Sequence, residues 1–375
     1  MNPTPDAPTD PALARLIDQV RTAQNEVRPV RIRGGGSKDF YGGTLTGELL
    51  ELEQLRGICS YEPTEMVITA RAGTTLRELE EALSEHGQHL CFEPPRFGAG
   101  GAQATVGGMV AAGLAGPARA AAGGVRDFVL GACVLNGRGE LLRFGGQVVK
   151  NVAGYDVARL FVGSMGVLGV ICEVSLKVPP LPAASASVEL ACEEAEALHL
   201  MQAWTRAALP VNASAWRAGV MRVRLCGAAA AVRSARERLA KESGVRTLEP
   251  EAAIPYWTAL RDQTDAFFSA SGVPAASLAL WRISVPSTTP PLDLPGETLI
   301  EWGGAQRWLY SHASPQKIRE TAARAGGHAS VFRAEPRAPD FLAPISAPLE
   351  GIHRALKKSF DPAGIFNRGR LYPWM

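Results

Sequence analysis

Paired cysteines, charge blocks, long apolar runs and Gly-Lys dipeptides are all missing from these 375 residues. The six cysteines (Cys59, Cys91, Cys133, Cys172, Cys192, Cys226) stand 20 or more residues apart with no C-x-x-C pair. That excludes a zinc or iron–sulfur ligand set of the usual spacing and leaves most of them as core thiols. No Lys/Arg run exceeds a pair and the net charge is +2, so no nucleic-acid or anionic-membrane surface is expected. The low-charge stretch 97–118 holds seven glycines and few large apolar residues, a poor membrane span. The N-terminus has neither a basic nor an apolar leader segment, which predicts a cytoplasmic protein that meets a membrane only through partners. Without a Gly-Lys pair there is no nucleotide-triphosphate loop. Gly98-Ala99-Gly100-Gly101 starts a dinucleotide fingerprint that fails at its third glycine.

What is present is glycine, in three tracts: Arg33-Gly34-Gly35-Gly36-Ser37 running to Gly42, nine glycines between Gly98 and Gly124, and Gly163-Ser164-Met165-Gly166-Val167-Leu168-Gly169. Glycine weakens element interiors, so a cluster of it marks turns or a backbone lying directly against another group. Two readings of these residues remain: tight turns alone, or bare main-chain amides that cradle a phosphate.

Periodicity and turn chemistry predict two domains, with a break at Pro179-Pro180-Leu181-Pro182. In the first, Asp10 caps a helix from Pro11 to Ala23. Val30–Ile32 and Met66–Ala70 are strands, and Thr75 to Glu78 is a capping box opening a helix that closes at Gly87. Asn136-Gly137 turns a hairpin between strands 128–135 and 140–144, and Asp156 caps a helix through Phe161. Strand 170–178 follows. Beyond the break, strands near 185–191, 219–226, 278–285, 299–302 and 307–310 mix with helices 193–208, 229–242 and 314–325. That pattern suggests an α+β layer with helices on one face of an antiparallel sheet. A last helix, 349–360, precedes the turn-rich Asp361 to Arg370.

Five ordered segments resemble the FAD-binding domain of the vanillyl-alcohol-oxidase/PCMH flavoprotein superfamily. They are Arg33 to Ser37, Ile68 to Leu76, Ala104 to Met109, Gly163 to Ile171, and the tail Asp361 to Arg370. Gly36 to Gly42, Lys150-Asn151-Val152-Ala153-Gly154-Tyr155-Asp156 and Phe360 to Asn367 bring it close to the E-subunit family of glycolate oxidases (glycolate dehydrogenases). The resemblance implies a PCMH-type FAD-binding domain of two α+β subdomains over 1–181, a smaller α+β cap domain over 182–345, and a segment 346–375 returning to the first domain. By the same resemblance, Gly34, Gly35, Gly36, Ser37, Ala104, Thr105, Gly107 and Gly108 clamp the FAD diphosphate. Pro94 and Pro95 approach the isoalloxazine, and Gly113, Gly116, Arg126 and Asp127 continue the cofactor wall. Val170 and Ile171 serve the adenine, and Asn367 reaches the flavin region. Gly36 stands where covalent members carry histidine, so non-covalent FAD is expected.

The implied activity is oxidation of glycolate or another short 2-hydroxy acid. The implied partners are a catalytic flavoprotein paralogue and an iron–sulfur subunit that takes the electrons. Two alternatives stay open: a non-catalytic flavin-binding assembly subunit, and a stand-alone 2-hydroxy-acid oxidase. Catalytic relatives carry an H-G-D-G-N-x-H stretch that is absent here, so no catalytic residue is assigned. His328, with Arg307 and Arg333 as prospective neighbours, is the one candidate base. No metal site is expected.

Overall fold

The structure, a computed structural model, describes residues 10–98, 104–146, 155–268, 278–337 and 340–375. It divides into two compact units, Met1–Leu114 with Gly124–Pro180 and Pro344–Met375, and Ala115–Gly123 with Leu181–Ala343. The segment Ala115–Gly123, expected in the first domain, thus groups with the second unit.

In the first unit Asp10 accepts from the Ala12 amide at 2.8 Å and starts helix Pro11–Asn25, whose Leu16, Ile17, Val20 and Ala23 are buried. Strands β1 (Val30–Arg33) and β2 (Glu48–Glu51) pair in parallel, and Val30 bridges Phe366 of the C-terminal tail. Strands β3 (Ile58–Glu62), β4 (Val67–Arg71), β5 (Val129–Leu135), β6 (Leu141–Gly145) and β7 (Val170–Lys177) form an antiparallel sheet in the order β3-β4-β7-β5-β6. The first-unit core joins the first helix, both small sheets' apolar residues and the tail through Val20, Val30, Leu50, Leu135, Val170 and Phe366. Thr75 and Glu78 make the expected reciprocal cap on helix Leu76–Ser84. Asn136 Oδ1 accepts from the amides of Arg138 and Glu140 and closes the β5–β6 hairpin. Asp156 does not cap a helix: it pairs with Arg159 at 3.0 Å beside a short 3-10 turn, Ala158–Phe161.

The second unit is built on one eight-stranded antiparallel sheet. Its strands are β8 (Ala184–Ala191), β9 (Val211–Arg217), β10 (Val220–Gly227), β11 (Arg246–Leu248), β12 (Ala279–Ser284), β13 (Glu297–Glu301), β14 (Gln306–Ser311) and β15 (His328–Arg333), in the order β11-β8-β10-β9-β13-β14-β12-β15. Helices Glu194–Arg206 and Ala229–Leu239 bury Leu198, Met201, Trp204, Val232 and Leu239 against Val188, Trp216, Met221, Val223, Leu225 and Ile300 of one sheet face. The expected one-sided arrangement is incomplete. Helix Pro250–Asp262 lies over part of the opposite face, where Trp257 donates to Ser187 Oγ at 2.9 Å and Arg222 and Arg224 stack on Tyr256 and Trp257. Among the described residues no helix is long and apolar enough to cross a membrane.

Candidate functional site: a glycine-lined cleft

Strand β1 ends at Arg33, and the chain turns through Gly34, Gly35 and Gly36 into one wall of a cleft with about 760 Å³ of empty space, including space open to solvent. Among the described residues, the main-chain N–H groups of Gly34, Gly35, Gly36 and Ser37 donate to no protein group. Four consecutive amides beside a cleft form a nest suited to an anion. The missing side chains are needed. A Cβ on Gly34 would collide with the Thr105 hydroxyl, and one on Gly36, at φ +70°, would collide with the Arg33 guanidinium. Arg33 itself is fixed by Asp39, Nε to Oδ2 at 2.8 Å.

The second wall is the start of helix Val106–Ala112, capped by Thr105, whose Oγ1 accepts from the Gly108 amide at 3.3 Å. Its first amides are already used: Val106 N–H donates to Thr74 O and Gly107 N–H to Ala72 O. Gly107 packs so tightly that an added Cβ would come within 2.6 Å of the Ala72 Cβ. This turn therefore shapes the cleft and offers the Thr105 hydroxyl, whereas the free donors come from the first glycine loop.

The tail ties the first wall to the third glycine turn. Asn367, in the left-handed region at φ +40°, accepts the Ile32 amide on Oδ1 at 2.7 Å and donates Nδ2 to Met165 O at 2.7 Å. Its amide staples β1 to the third glycine turn, and Gly166 leaves room for it. Arg370, buried to 6% exposure, donates to the carbonyls of Lys38, Asp39 and Gly43. Those bonds hold the carbonyls of residues 38, 39 and 43 on the guanidinium. Behind them, Asp361 accepts the Ile365 and Phe366 amides, while Lys357 donates to Asp361, Val167 O and Phe366 O. Burial pushes the Lys357 pKa down, and the Asp361 carboxylate opposes that shift.

Of the expected cofactor residues, Gly34, Gly35, Gly36, Ser37, Thr105, Gly107, Gly108, Ile171 and Asn367 line this cleft. Ala104 and Val170 are buried beside it, Ala104 O accepting from Leu76 and Val170 paired with Leu135. Pro94 and Pro95 are buried and do not line it. Gly113, at φ +63°, ends helix Val106–Ala112 against Gly163. Gly116 belongs to the second unit, where its carbonyl accepts from Trp302 Nε1 at 3.0 Å. Arg126 and Asp127 are exposed, with Asp127 capping the Gly124 amide. Lys150 to Gly154 lie outside the described residues, and Tyr155 is 95% exposed. Arg370 was missed as a cleft residue; its signal was the arginine-rich Asn367-Arg368-Gly369-Arg370.

In the second unit His328 opens strand β15. Arg307 is not its neighbour. It is 1% exposed on the opposite sheet face, donating to Gly304 O and Thr289 O, and burial lowers its pKa to about 10. Arg333 shares the His328 face, in register with Leu280. No group of metal-ligating side chains occurs among the described residues.

Residues 12–145 match the FAD binding domain family FAD_binding_4. The chain is 47% identical to glycolate oxidase subunit GlcE of Escherichia coli (strain K12), over 95% of this chain and 96% of that one. Glycolate oxidase subunit GlcD of Bacillus subtilis (strain 168) is 31% identical over 48% of this chain and 38% of its own length. Among solved structures, p-cresol methylhydroxylase with substrate bound superposes with TM-score 0.68 at 14% identity, covering 96% of this chain and 87% of that chain. The 4-ethylphenol oxidase from Gulosibacter chungangensis gives 0.67 at 16%, covering 97% and 88%. These two share the fold. Its cofactor is FAD, and the chain belongs to the family of the glycolate oxidase subunit GlcE.

Proposed function

We propose that this chain is the FAD-carrying subunit of a multi-subunit glycolate oxidase, holding FAD non-covalently and passing electrons from glycolate oxidation to an iron–sulfur subunit. One observation carries the cofactor part: four successive unpartnered amides, Gly34 to Ser37, facing a cleft that side chains would fill. They would take the diphosphate, with the Thr105 hydroxyl at the opposite wall and Asn367 and Arg370 fixing the loop between them. When bound, FAD supplies the two-electron acceptor that oxidation of a 2-hydroxy acid requires. Gly36, and the absence of histidine before His86, support attachment without a covalent bond.

A second reading, in which chemistry belongs to a paralogous subunit and this chain serves assembly, is favoured by His328. Among the described residues that imidazole has no hydrogen-bond partner to orient it as a base. Acid precipitation of the purified chain should release all yellow flavin into the supernatant. Anaerobic glycolate should then bleach the flavin band if this subunit is catalytic, whereas retained colour assigns it the auxiliary role. Protein that neither contains nor takes up flavin would overturn both readings.

A further inference from the structure

Apart from buried Arg307, the face under helices Glu194–Arg206 and Ala229–Leu239 is apolar; the other face, which helix Pro250–Asp262 covers only in part, carries charge. Register sets Glu301, Gln306, Ser284 and His328 side by side across β13, β14, β12 and β15, and Leu299, Trp308, Arg282 and Ser330 in the adjacent row. Arg282 is half-buried between indoles, 5.3 Å from the Trp302 ring and 6.0 Å from that of Trp308. Its Nε donates to Gln306 Oε1 at 2.9 Å. Behind Gln306 sits Glu301, which accepts the Trp308 indole N–H at 2.6 Å and fixes that ring. Among the described residues the only hydrogen-bond partner of the Arg282 guanidinium is therefore a neutral amide, and no carboxylate there pairs with it.

A positive charge held stiffly between aromatic faces, with its two outer nitrogens uncommitted, suits a planar anion. Ser330 stands opposite Arg282 in register, its hydroxyl donating to the Arg282 main-chain carbonyl at 3.4 Å, and Ser284 lies two residues along the same strand. His328 stands diagonally across the two strands, about 7 Å away by ordinary sheet spacing. Desolvation first and the Arg282 charge second push the His328 pKa down.

We propose that Arg282 is the anion-binding centre of the second unit and takes the carboxylate of a short 2-hydroxy acid. The choice of acid rests on the reading of the chain as a glycolate oxidase subunit; the anion site rests on the sheet face alone. Its guanidinium would grip the carboxylate with two parallel N–H donors, leaving the acid's hydroxyl toward Ser284 and His328.

Calorimetric titration of the FAD-loaded chain with glycolate, and with neutral glycolamide, tests this. Glycolate should bind and glycolamide should not. Arg282→Gln should weaken glycolate about tenfold or more, the range of a hydrogen bond to a charged group. Arg282→Lys should recover part of that loss, and Arg246→Gln, on an exposed residue far along the sheet, should change nothing. If Arg282→Gln does not fold, indole N–H resonances of the unmodified protein serve instead. Glycolate should shift those of Trp302 and Trp308, identified by Trp→Phe variants. Failure of the chain to bind glycolate, unchanged affinity in Arg282→Gln, or shifts confined to other indoles would each overturn the proposal. Flavin content, read in the same samples, separates that result from failure of the proposed function.

Discussion

The first unit's cleft is shaped by side chains it lacks, the second unit's polar sheet face by side chains it displays. In the cleft the donors are amides stripped of side chains, and every added atom at Gly34, Gly36 or Gly107 meets a neighbour. On the second unit's polar sheet face the groups are arginine, indole, glutamine and imidazole, brought side by side only by strand register. Main-chain recognition tolerates no additions, and side-chain recognition tolerates no deletions. The two regions should therefore respond oppositely to substitution.

The largest effect is expected from deletion in the second unit. Trp302→Ala removes a buried indole that bonds Gly116 O and stacks on Arg119 and Arg282. It should cost about 3–5 kcal/mol in urea denaturation, with flavin stoichiometry unchanged. An addition in the first unit should do the reverse. Gly34→Val should keep most of the fold's stability but weaken FAD on the order of a hundredfold, about 3 kcal/mol, measured by fluorescence titration of the apoprotein. If Gly34→Val binds FAD normally, the loop is mere turn and the contrast fails. Thr105→Ala, which deletes a helix cap that is also a cleft hydroxyl, should lower stability by about 1 kcal/mol and FAD affinity together.

The smallest effect belongs to surface charge, which serves neither mode. The hydrogen bond from Arg56 holds the Glu78 pKa at about 2, below its ordinary 4.5, with the Thr75 cap assisting. A lowered carboxylate pKa contributes stability above the unfolded value, lost as pH falls through the folded one. The stability gap between wild type and Glu78→Gln should stay constant above pH 4.5 and close as the pH approaches about 2. A gap that persists undiminished at the acid end would show that the ion pair is not its source.

Legibility followed the same divide. The capped helices at Asp10 and Thr75 and the Asn136 hairpin were readable because each is settled by residues within a few positions. Strand β9, Val211-Asn-Ala-Ser-Ala-Trp-Arg, has little intrinsic strand character and forms because β10 and β13 flank it. Gly116 was placed in the cofactor wall by family resemblance; in the structure its carbonyl is held by Trp302, 186 positions away, a partner no local pattern names. Arg307 and His328 looked like neighbours, but the two-residue period of a strand sends them to opposite faces.

Glycine spacing alone determined where the chain would turn tightly or lie bare against a neighbour, since the conformations and close approaches involved are closed to other residues. Tertiary structure decided which amides remain available. The helix at Val106 satisfies its own from Ala72 and Thr74, and a buried arginine 330 or so positions downstream binds the carbonyls of the loop that keeps its donors free. Hydrogen-bond saturation is a property of the assembled chain, because each donor's partner is chosen by whatever the fold brings within reach.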